Sequence, residues 1–248
     1  MKKIKMQLPE INDYRMTEAY NQLKTNIAFC GKDIKVITIT SSVPNEGKSS
    51  VAFTLSRVLA ENRKKVLMVD CDLRKSVLAG RYHMEGVEKG LSHYLSGQAD
   101  REEVIYSIEE RGFFVTVAGP LSPDPTTLLD SEQFKVFIDT ARNEYDYVIL
   151  DAPPLGLVID AVIVGKFSDG AMVVIEQGII SRKRLQGVIK QLKKGEVRIL
   201  GAVLNKVDER IGAYDNYEYK YGYGYYGGED TEKVTKKRGS RRRIYNGK

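Results

Sequence analysis

Residues 35–50 read KVITITSSVPNEGKSS, and this stretch decides the fold. The first seven residues alternate β-branched side chains and predict a buried strand. The next ten residues after the stretch, VAFTLSRVLA at 51–60, have a helical pattern. A strand, a loop that ends in Gly-Lys-Ser and a helix form the context of a phosphate-binding loop, because backbone N–H groups at a helix N-terminus attract phosphate oxygens. The competing interpretation is a turn that contains Gly-Lys-Ser by chance.

The loop supplies the candidate nucleotide contacts. We expect Lys48 to place its charge on the β- and γ-phosphates and Ser49 to offer a hydroxyl to Mg²⁺. The remaining candidates in the loop are Ser42, Asn45, Glu46, Gly47 and Ser50. Ser42 replaces the first glycine of the usual pattern, which keeps the position small but reduces its access to positive φ.

Two more predicted strands end in carboxylates. Residues 65–74 read KVLMVDCDLR, so an apolar strand runs into Asp70, Asp72 and Arg74. Residues 145–154 read YDYVILDAPP, and a second apolar strand ends at Asp151. Carboxylates at the carboxyl ends of parallel strands point into the ligand crevice of an open α/β sheet. Such groups can hold Mg²⁺ and accept a proton from a hydroxyl; a solvated loop after each strand is the alternative.

The alternation of strands and helices predicts an α/β fold with a doubly wound, mostly parallel sheet of the P-loop NTPase kind. We expect three parts: an N-terminal docking helix region at 1–32, a P-loop domain at 33–212 and a flexible tail at 213–248. In the first part, Thr17 is predicted to cap a helix that runs to Phe29. A short helix is predicted over 102–108. The last strand runs into Asn205, which could meet the adenine ring or belong to a simple turn.

The tail holds seven of the fifteen tyrosines of the chain within thirteen residues. They are Tyr214, Tyr217, Tyr219, Tyr221, Tyr223, Tyr225 and Tyr226. Aliphatic residues are missing from this segment, so it cannot form a core. Tyrosine differs from phenylalanine by a hydroxyl, which can accept a phosphoryl group; an aromatic segment that stacks on nucleic acid or sugars is the alternative.

Bulk properties exclude several classes of protein. The formal net charge is +6, and residues 214–248 contribute +4 of it, with nine Lys/Arg against five Asp/Glu. The rest of the chain is therefore close to neutral, and we do not expect a nucleic-acid partner. Two cysteines distant in sequence make neither a disulfide framework nor a metal-ligand spacing. No stretch approaches the roughly 18 apolar residues of a membrane helix.

Together these motifs resemble the bacterial tyrosine kinases of capsule and exopolysaccharide assembly, which are P-loop proteins unrelated to eukaryotic kinases. The resemblance covers the chain from about residue 18 to the tyrosine cluster. It rests on residues 42–49 as the Walker A loop, on 66–74 as the Asp-x-Asp-x-Arg box, on 148–154 as Walker B and on the terminal tyrosines.

The resemblance implies an ATP- and Mg²⁺-dependent protein-tyrosine autokinase that phosphorylates its terminal tyrosines in trans and regulates polysaccharide polymerisation or export. It implies that Asp70, Asp72 and Asp151 surround the metal and the acceptor hydroxyl, with Asp70 or Asp72 as the base. The implied partners are a transmembrane co-polymerase that activates the kinase, a second copy of the chain, and protein substrates of polysaccharide synthesis. The implied location is cytoplasmic, at the inner face of the membrane through that partner.

The chain departs from the family pattern near its N-terminus. The family's assembly motif is Glu-x-x-Arg-x-x-Arg, whereas Glu18 is followed here by Asn21 and Lys24. Lysine cannot reproduce a bidentate arginine contact, which puts the family's ring-shaped oligomer in question. Asn45 also stands where the loop often has glycine.

Two other functions fit parts of the pattern. The first is an ATPase switch of the partition and division-site class, which carries an additional lysine early in the loop where this chain has Val43. The second is an ATP-binding scaffold of the polysaccharide machinery. A eukaryotic-type kinase is excluded because neither histidine is followed by Arg-Asp and no Asp-Phe-Gly occurs.

Overall fold

The computed structural model describes residues 2–7, 14–108 and 112–207. In these residues, a sheet of eight strands has the order β1-β4-β5-β3-β6-β2-β7-β8. The strands are β1 Lys2–Lys3, β2 Val36–Ser41, β3 Val66–Asp70, β4 Tyr106–Ser107, β5 Phe113–Thr116, β6 Tyr147–Asp151, β7 Gly170–Glu176 and β8 Ile199–Asn205. The pair β4–β5 is antiparallel and the other neighbouring pairs are parallel, which confirms the predicted fold class.

Helices connect the strands. They are α1 Tyr14–Phe29, α2 Lys48–Glu61, α3 Leu78–Arg81, α4 Leu91–Leu95, α5 Arg101–Val104, α6 Pro125–Leu129, α7 Glu132–Glu144, α8 Asp160–Gly165 and α9 Arg182–Lys194. The predicted strand–loop–helix context of the loop at 42–50 is confirmed by β2 and α2.

The central strands are buried on both faces. Along β3, Leu67 and Val69 belong to one apolar cluster, which also contains Phe134 of α7 and Leu192 of α9. The intervening Met68 packs in a second cluster on the opposite face, with residues of α1 and α2. Since side chains alternate along a strand, an unbroken apolar run supplies both layers at once, as parallel sheets require.

Strand β2 lies at the point where the strand order reverses. It pairs with β6 on one side and with β7 on the other. At such a switch point, the connections after neighbouring strands leave on opposite faces and open a crevice at the carboxyl ends. The loop at 42–50 begins at this position, and β3 and β6 end beside it.

Two local predictions were wrong. Thr17 does not cap the first helix, because α1 begins at Tyr14 and Thr17 lies inside it. The helix predicted over 102–108 ends at Val104, and Tyr106–Ser107 form a short strand instead. Tyr106 is fully buried and its hydroxyl donates to the Lys89 carbonyl (2.8 Å), so tertiary contacts override a weak local helical pattern. The tyrosine cluster at 214–226 lies outside the described residues, and the predicted boundaries at 32 and 212 stay predictions.

Candidate active site

The phosphate-binding loop leaves the N-terminus of α2 without a side-chain cap. Gly47 is the N-cap residue, with φ of 91°, and no side chain accepts a hydrogen bond from the first turn there. The first N–H groups of a helix need partners from outside the helix. Positive φ falls on Gly47 and Asn45 (68°) and not on Ser42. Serine in place of the first glycine therefore costs no backbone strain, and asparagine tolerates the left-handed region well.

Glu46 holds the loop in shape. Its side chain is buried, and Oε2 accepts hydrogen bonds from the backbone N–H groups of Ser42 (2.7 Å) and Val43 (2.8 Å). Its Oε1 accepts from the N–H of Glu176 at the end of β7 (3.2 Å). The carboxylate of Glu46 is thus occupied by backbone donors. Of the predicted nucleotide contacts, Glu46 can offer its backbone N–H and not its side chain.

Lys48 lies between two carboxylates from different strands. Its Nζ is 3.4 Å from Asp151 Oδ1 and 3.5 Å from Asp72 Oδ2, and it also donates to the hydroxyl of Ser49 (3.2 Å). Burial lowers the pKa of Lys48, but the carboxylates of Asp151, Asp72 and Asp70 outweigh it, and the pKa is raised. Lys48 is therefore held as a cation at the start of α2.

Asp70 and Asp151 are adjacent across β3 and β6 and are both buried. Burial, followed by the charge of Asp151, raises the pKa of Asp70 to about 7. Asp70 accepts hydrogen bonds from the Ser76 hydroxyl and from the N–H of Asp72 (3.0 Å). Burial also raises the pKa of Asp151, against the opposing effect of Lys48. Two buried carboxylates with one lysine near them disfavour full ionisation of the pair.

Asp72 differs from Asp70 in facing the cleft. The cleft in front of the loop has a volume of about 260 Å³, and Asp72 lines it. Its Oδ1 accepts from the N–H of Lys75 (3.0 Å), and its Oδ2 faces Lys48. Apolar side chains also line the cleft, namely Pro153, Pro154, Leu157 and Val158.

Arg74 forms its ion pair with Asp160 and not with the aspartates beside the loop. Its Nε and Nη2 donate to Oδ2 (2.6 Å) and Oδ1 (3.0 Å) of Asp160, the fully buried first residue of α8. Nη2 also donates to the Thr126 hydroxyl (2.9 Å). This bidentate pair joins the β3 loop to α8 and fixes one side of the cleft. Sequence reasoning missed Asp160; its signal is a lone acid that opens an apolar run at 160–165.

Asn205 is the last residue of β8 and lies against the loop. Its Nδ2 donates to the Glu46 carbonyl (2.9 Å). The fit is close, because a Cβ at Gly47 would lie 2.1 Å from that Nδ2. Of the other loop residues, Ser50 accepts from Nη1 of Arg81 (2.8 Å), a contact that the sequence did not indicate.

The predicted metal ligands are close together but do not form a preformed cage. Among the residues that the structure describes, no three His, Cys, Asp or Glu side chains are grouped so that they could hold a metal ion. Lys48 occupies the space between Asp72 and Asp151. Mg²⁺ usually keeps several waters and uses one or two carboxylates plus substrate phosphates. The Ser49 hydroxyl and these carboxylates fit that arrangement when a nucleotide supplies the rest.

Comparisons with known proteins find the same fold, and they cover different shares of this chain. A family model described as an AAA domain matches residues 34–203. Tyrosine-protein kinase CpsD of Streptococcus agalactiae is 36% identical over 225 residues, which cover 90% of this chain and 96% of that protein. The kinase domain of Escherichia coli tyrosine kinase ETK is similar with a TM-score of 0.77 and 31% identity, covering 82% of each chain.

A division-site ATPase is similar over a smaller part. The septum site-determining protein MinD of Pyrococcus horikoshii, complexed with Mg-ADP, has a TM-score of 0.60 and 27% identity and covers 71% of each chain. The two kinases match this chain over more of its length and with higher identity.

Proposed function

The chain belongs to the AAA-domain family and to the bacterial tyrosine-protein kinases, and from this premise we propose that it phosphorylates the terminal tyrosines of a second copy of itself to control polysaccharide polymerisation or export. The chain is a protein-tyrosine kinase. The observation that carries the proposed site is Lys48, held between Asp72 and Asp151 at an uncapped helix N-terminus beside an apolar-walled cleft.

ATP is the phosphoryl donor in this proposal. The N–H groups of residues 47–50 bind its phosphates, and Lys48 exchanges its carboxylate contacts for the β- and γ-phosphates. Asn205, which contacts Glu46 beside the loop, is proposed to face the adenine. Ser49, Asp70, Asp72 and Asp151 are the proposed metal ligands. Mg²⁺, when bound, supplies positive charge that screens the phosphate oxygens.

Asp72 is the proposed base. It lines the cleft, whereas Asp70 is enclosed by Ser76 and the backbone N–H of Asp72. The acceptor tyrosine hydroxyl gives its proton to Asp72, and its oxygen forms a bond to the γ-phosphorus while the bond to the bridging oxygen of ADP breaks. A free tyrosine has a pKa near 10, so a carboxylate next to the hydroxyl assists its deprotonation in the transition state. Arg74, through Asp160, positions the loop that carries Asp72.

The proposed partners follow from the family resemblance. A transmembrane co-polymerase would activate the kinase and hold it at the inner face of the cell membrane, and proteins of polysaccharide synthesis would be further substrates. No helix in the described part of the chain is long and apolar enough to cross a membrane. No nucleic-acid partner is proposed.

The geometry of α1 bears on self-assembly. Nζ of Lys24, at the second arginine position of the family's assembly motif, donates to Asn62 Oδ1 (3.0 Å) at the end of α2 and to Asn21 Oδ1 (3.4 Å). Both substituted positions are thus engaged within one copy of the chain. We therefore propose that the chain forms a homo-oligomer, but we do not propose the family's ring for it.

The test is phosphorylation of the purified chain with ATP·Mg²⁺, with phosphotyrosine located by mass spectrometry. We expect phosphate within residues 214–226 that is lost in Lys48→Met and in Asp72→Asn. Lys190→Met, which removes an exposed lysine from α9, is the matched control and should leave the phosphorylation unchanged.

Two results would contradict the proposal. ATP hydrolysis without phosphotyrosine, even with the partner's cytoplasmic segment present, would favour the ATPase-switch class. An intact cellular phenotype in Lys48→Met would favour the scaffold.

A further inference from the structure

The cleft carries two positive charges that the proposed catalytic groups leave uncompensated. Four cationic side chains line it: Lys48, Arg74, Lys75 and Arg81. The first two are neutralised by Asp72, Asp151 and Asp160, as described above. In the described residues, no carboxylate forms an ion pair with Lys75 or Arg81.

Both residues are held at the cleft by hydrogen bonds that do not pair their side-chain charge with a carboxylate. The N–H of Lys75 donates to Asp72 Oδ1 (3.0 Å), which leaves its ammonium group free of that contact. Nη1 of Arg81 donates to the hydroxyl of Ser50 (2.8 Å) in the first turn of α2. Both side chains belong to exposed residues, so their charges are available to a molecule that enters the cleft.

The topology places these cations on the acceptor side of the proposed reaction. Lys75 and Arg81 follow β3, whereas Asn205 ends β8, and the loop after β2 lies between these strands in the sheet. If the adenine ring of ATP faces Asn205, the nucleotide extends from the loop towards β8. The β3 side then lies beyond the γ-phosphate, next to Asp72.

The cleft also offers an apolar surface suited to an aromatic ring. Leu157 is 61% exposed and Val77 is 45% exposed, and both line the cleft with Pro154. Exposed apolar side chains in a cleft gain from a ligand that covers them. A tyrosine ring on this surface would have its hydroxyl towards Asp72 and its neighbouring residues at Lys75 and Arg81.

We propose that Lys75 and Arg81 select acceptor tyrosines that have carboxylates beside them in sequence. This inference rests on the proposed kinase function and names its substrate class. The chain itself contains such acceptors: Tyr217 lies between Asp215 and Glu218, and Tyr214 precedes Asp215. Charge pairs at a partly exposed rim are individually weak, so the two cations change the preference between peptides and not the chemistry.

The experiment uses three peptides with one acceptor each. All derive from residues 213–220, with Tyr214 and Tyr219 replaced by phenylalanine. The acidic peptide keeps Asp215 and Glu218, the neutral peptide carries Asn and Gln there, and the basic peptide carries Lys at both positions. The kcat/KM of the full-length chain is measured for each peptide at fixed ATP·Mg²⁺. We expect the acidic peptide to exceed the neutral one by about three- to tenfold, as two exposed charge pairs allow.

Charge reversal separates recognition from a structural role. In the double variant Lys75→Glu/Arg81→Glu, the order should invert, so that the basic peptide becomes the best of the three. Lys190→Glu/Lys193→Glu on α9 makes the same charge change on an exposed helix outside the cleft and should keep the wild-type order. A variant that merely unfolds would lose all three peptides alike and could not invert their order.

Each outcome has a distinct meaning. Equal kcat/KM for the three peptides, or an unchanged order in the charge-reversed variant, would overturn the inference and leave the kinase intact. A higher KM for ATP in that variant, with the peptide order unchanged, would assign Lys75 and Arg81 to the nucleotide and overturn it as well. If no peptide acquires phosphotyrosine and the terminal cluster stays unmodified too, the proposed function fails first.

Discussion

Two helices of nearly equal length, α2 with 14 residues and α9 with 13, begin in opposite ways. Helix α9 begins after Ser181, whose hydroxyl accepts a hydrogen bond from the N–H of Arg184 (3.3 Å). Helix α7 begins in the same way after Ser131. Helix α2 begins after Gly47, in the left-handed conformation and without a side-chain cap. The uncapped end is also the end that lines the cleft, through Gly47, Lys48 and Ser49.

The difference shows that a helix N-terminus can be capped to stabilise the helix or can keep its N–H donors for a ligand. A serine cap stabilises a helix by about 1 kcal/mol, and α7 and α9 have one. At α2 the same donors are left for a ligand, and the helix is stabilised by burial instead: ten of its residues are buried, against two in α9. A helix that is buried on most sides can leave its N-terminus unsatisfied because packing supplies its stability.

The largest expected effect comes from adding one methyl group at the start of α2. Gly47→Ala places a Cβ 2.1 Å from Asn205 Nδ2 at a φ of 91°, so the loop must shift. We expect autophosphorylation to fall by at least about 100-fold, as when a preorganised phosphate or oxyanion donor is lost. Gly187→Ala in α9 is the matched control, because nothing lies within 4 Å of its Cβ.

The control variant Gly187→Ala should raise the free energy of unfolding by about 0.5–1 kcal/mol, since alanine is favoured over glycine inside a helix. The measurements are phosphotyrosine formation and chemical denaturation of both variants. Full activity in Gly47→Ala would mean that the geometry of the loop tolerates a side chain at this position.

A smaller effect is expected from the buried carboxylate behind the loop. The pKa of Asp70 is about 7 in the folded protein, compared with 3.8 for an ordinary aspartate. Between about pH 4 and 7, folded Asp70 keeps a proton that the unfolded chain has released. The free energy of unfolding of the nucleotide-free protein therefore falls as pH rises through this window.

Asp70→Asn removes this proton uptake. Its amide oxygen can still accept from the N–H of Asp72, and its amide nitrogen can donate to the Ser76 hydroxyl, which then becomes the acceptor. Relative to wild type, we expect it to gain about 1–2 kcal/mol of stability between pH 5 and pH 7. Denaturation curves at several pH values measure the gain. Asp139→Asn, at an exposed position of α7, is the control and should track the wild type. Parallel pH profiles for Asp70→Asn and wild type would show that Asp70 is ionised throughout.

The smallest effect is expected at the capped helix. Ser181→Ala removes the acceptor for the Arg184 N–H and should cost about 1 kcal/mol in the free energy of unfolding, with tyrosine phosphorylation unchanged. Ser131→Ala at α7 should cost a similar amount, because its hydroxyl accepts from Phe134 in the same geometry (3.2 Å). A loss of phosphorylation in Ser181→Ala without a loss of stability would place the start of α9 in the active site and erase the contrast with α2.

Much of the fold could be predicted because its elements are strongly patterned. The strands at β2, β3 and β6 are apolar runs with turn residues after them. Errors occurred where local pattern is weak. Tyr106–Ser107 form a strand because they pair with β1 and β5. The sequence around them has no pattern that predicts this pairing.

The sequence pattern predicts which residues lie near the phosphate-binding loop, but it does not predict their contacts. Gly-Lys-Ser and the two strand-end acids are close in space because parallel strands end at one edge, and this follows from the sequence pattern. The pairing of Arg74 with Asp160 joins residues 86 positions apart. The hydrogen bond from Arg81 to Ser50 spans 31 positions. Neither has a periodicity or a motif of its own.

The sequence by itself therefore determined the parallel sheet, the position of the phosphate-binding loop and the set of polar residues that lie around it, because each depends on local pattern and on the order of strands. Only the tertiary structure decided which of those residues line the cleft and which contacts each of them makes. It placed Asp72 and not Asp70 in the lining of the cleft, and it turned the Glu46 side chain towards backbone N–H groups of the loop. It paired Arg74 with Asp160 and left Lys75 and Arg81 without a carboxylate partner in the described part of the chain. Access to a cleft and charge pairing depend on the three-dimensional surroundings of a side chain, and Asp70 and Asp72 differ in both although they are two positions apart in one motif.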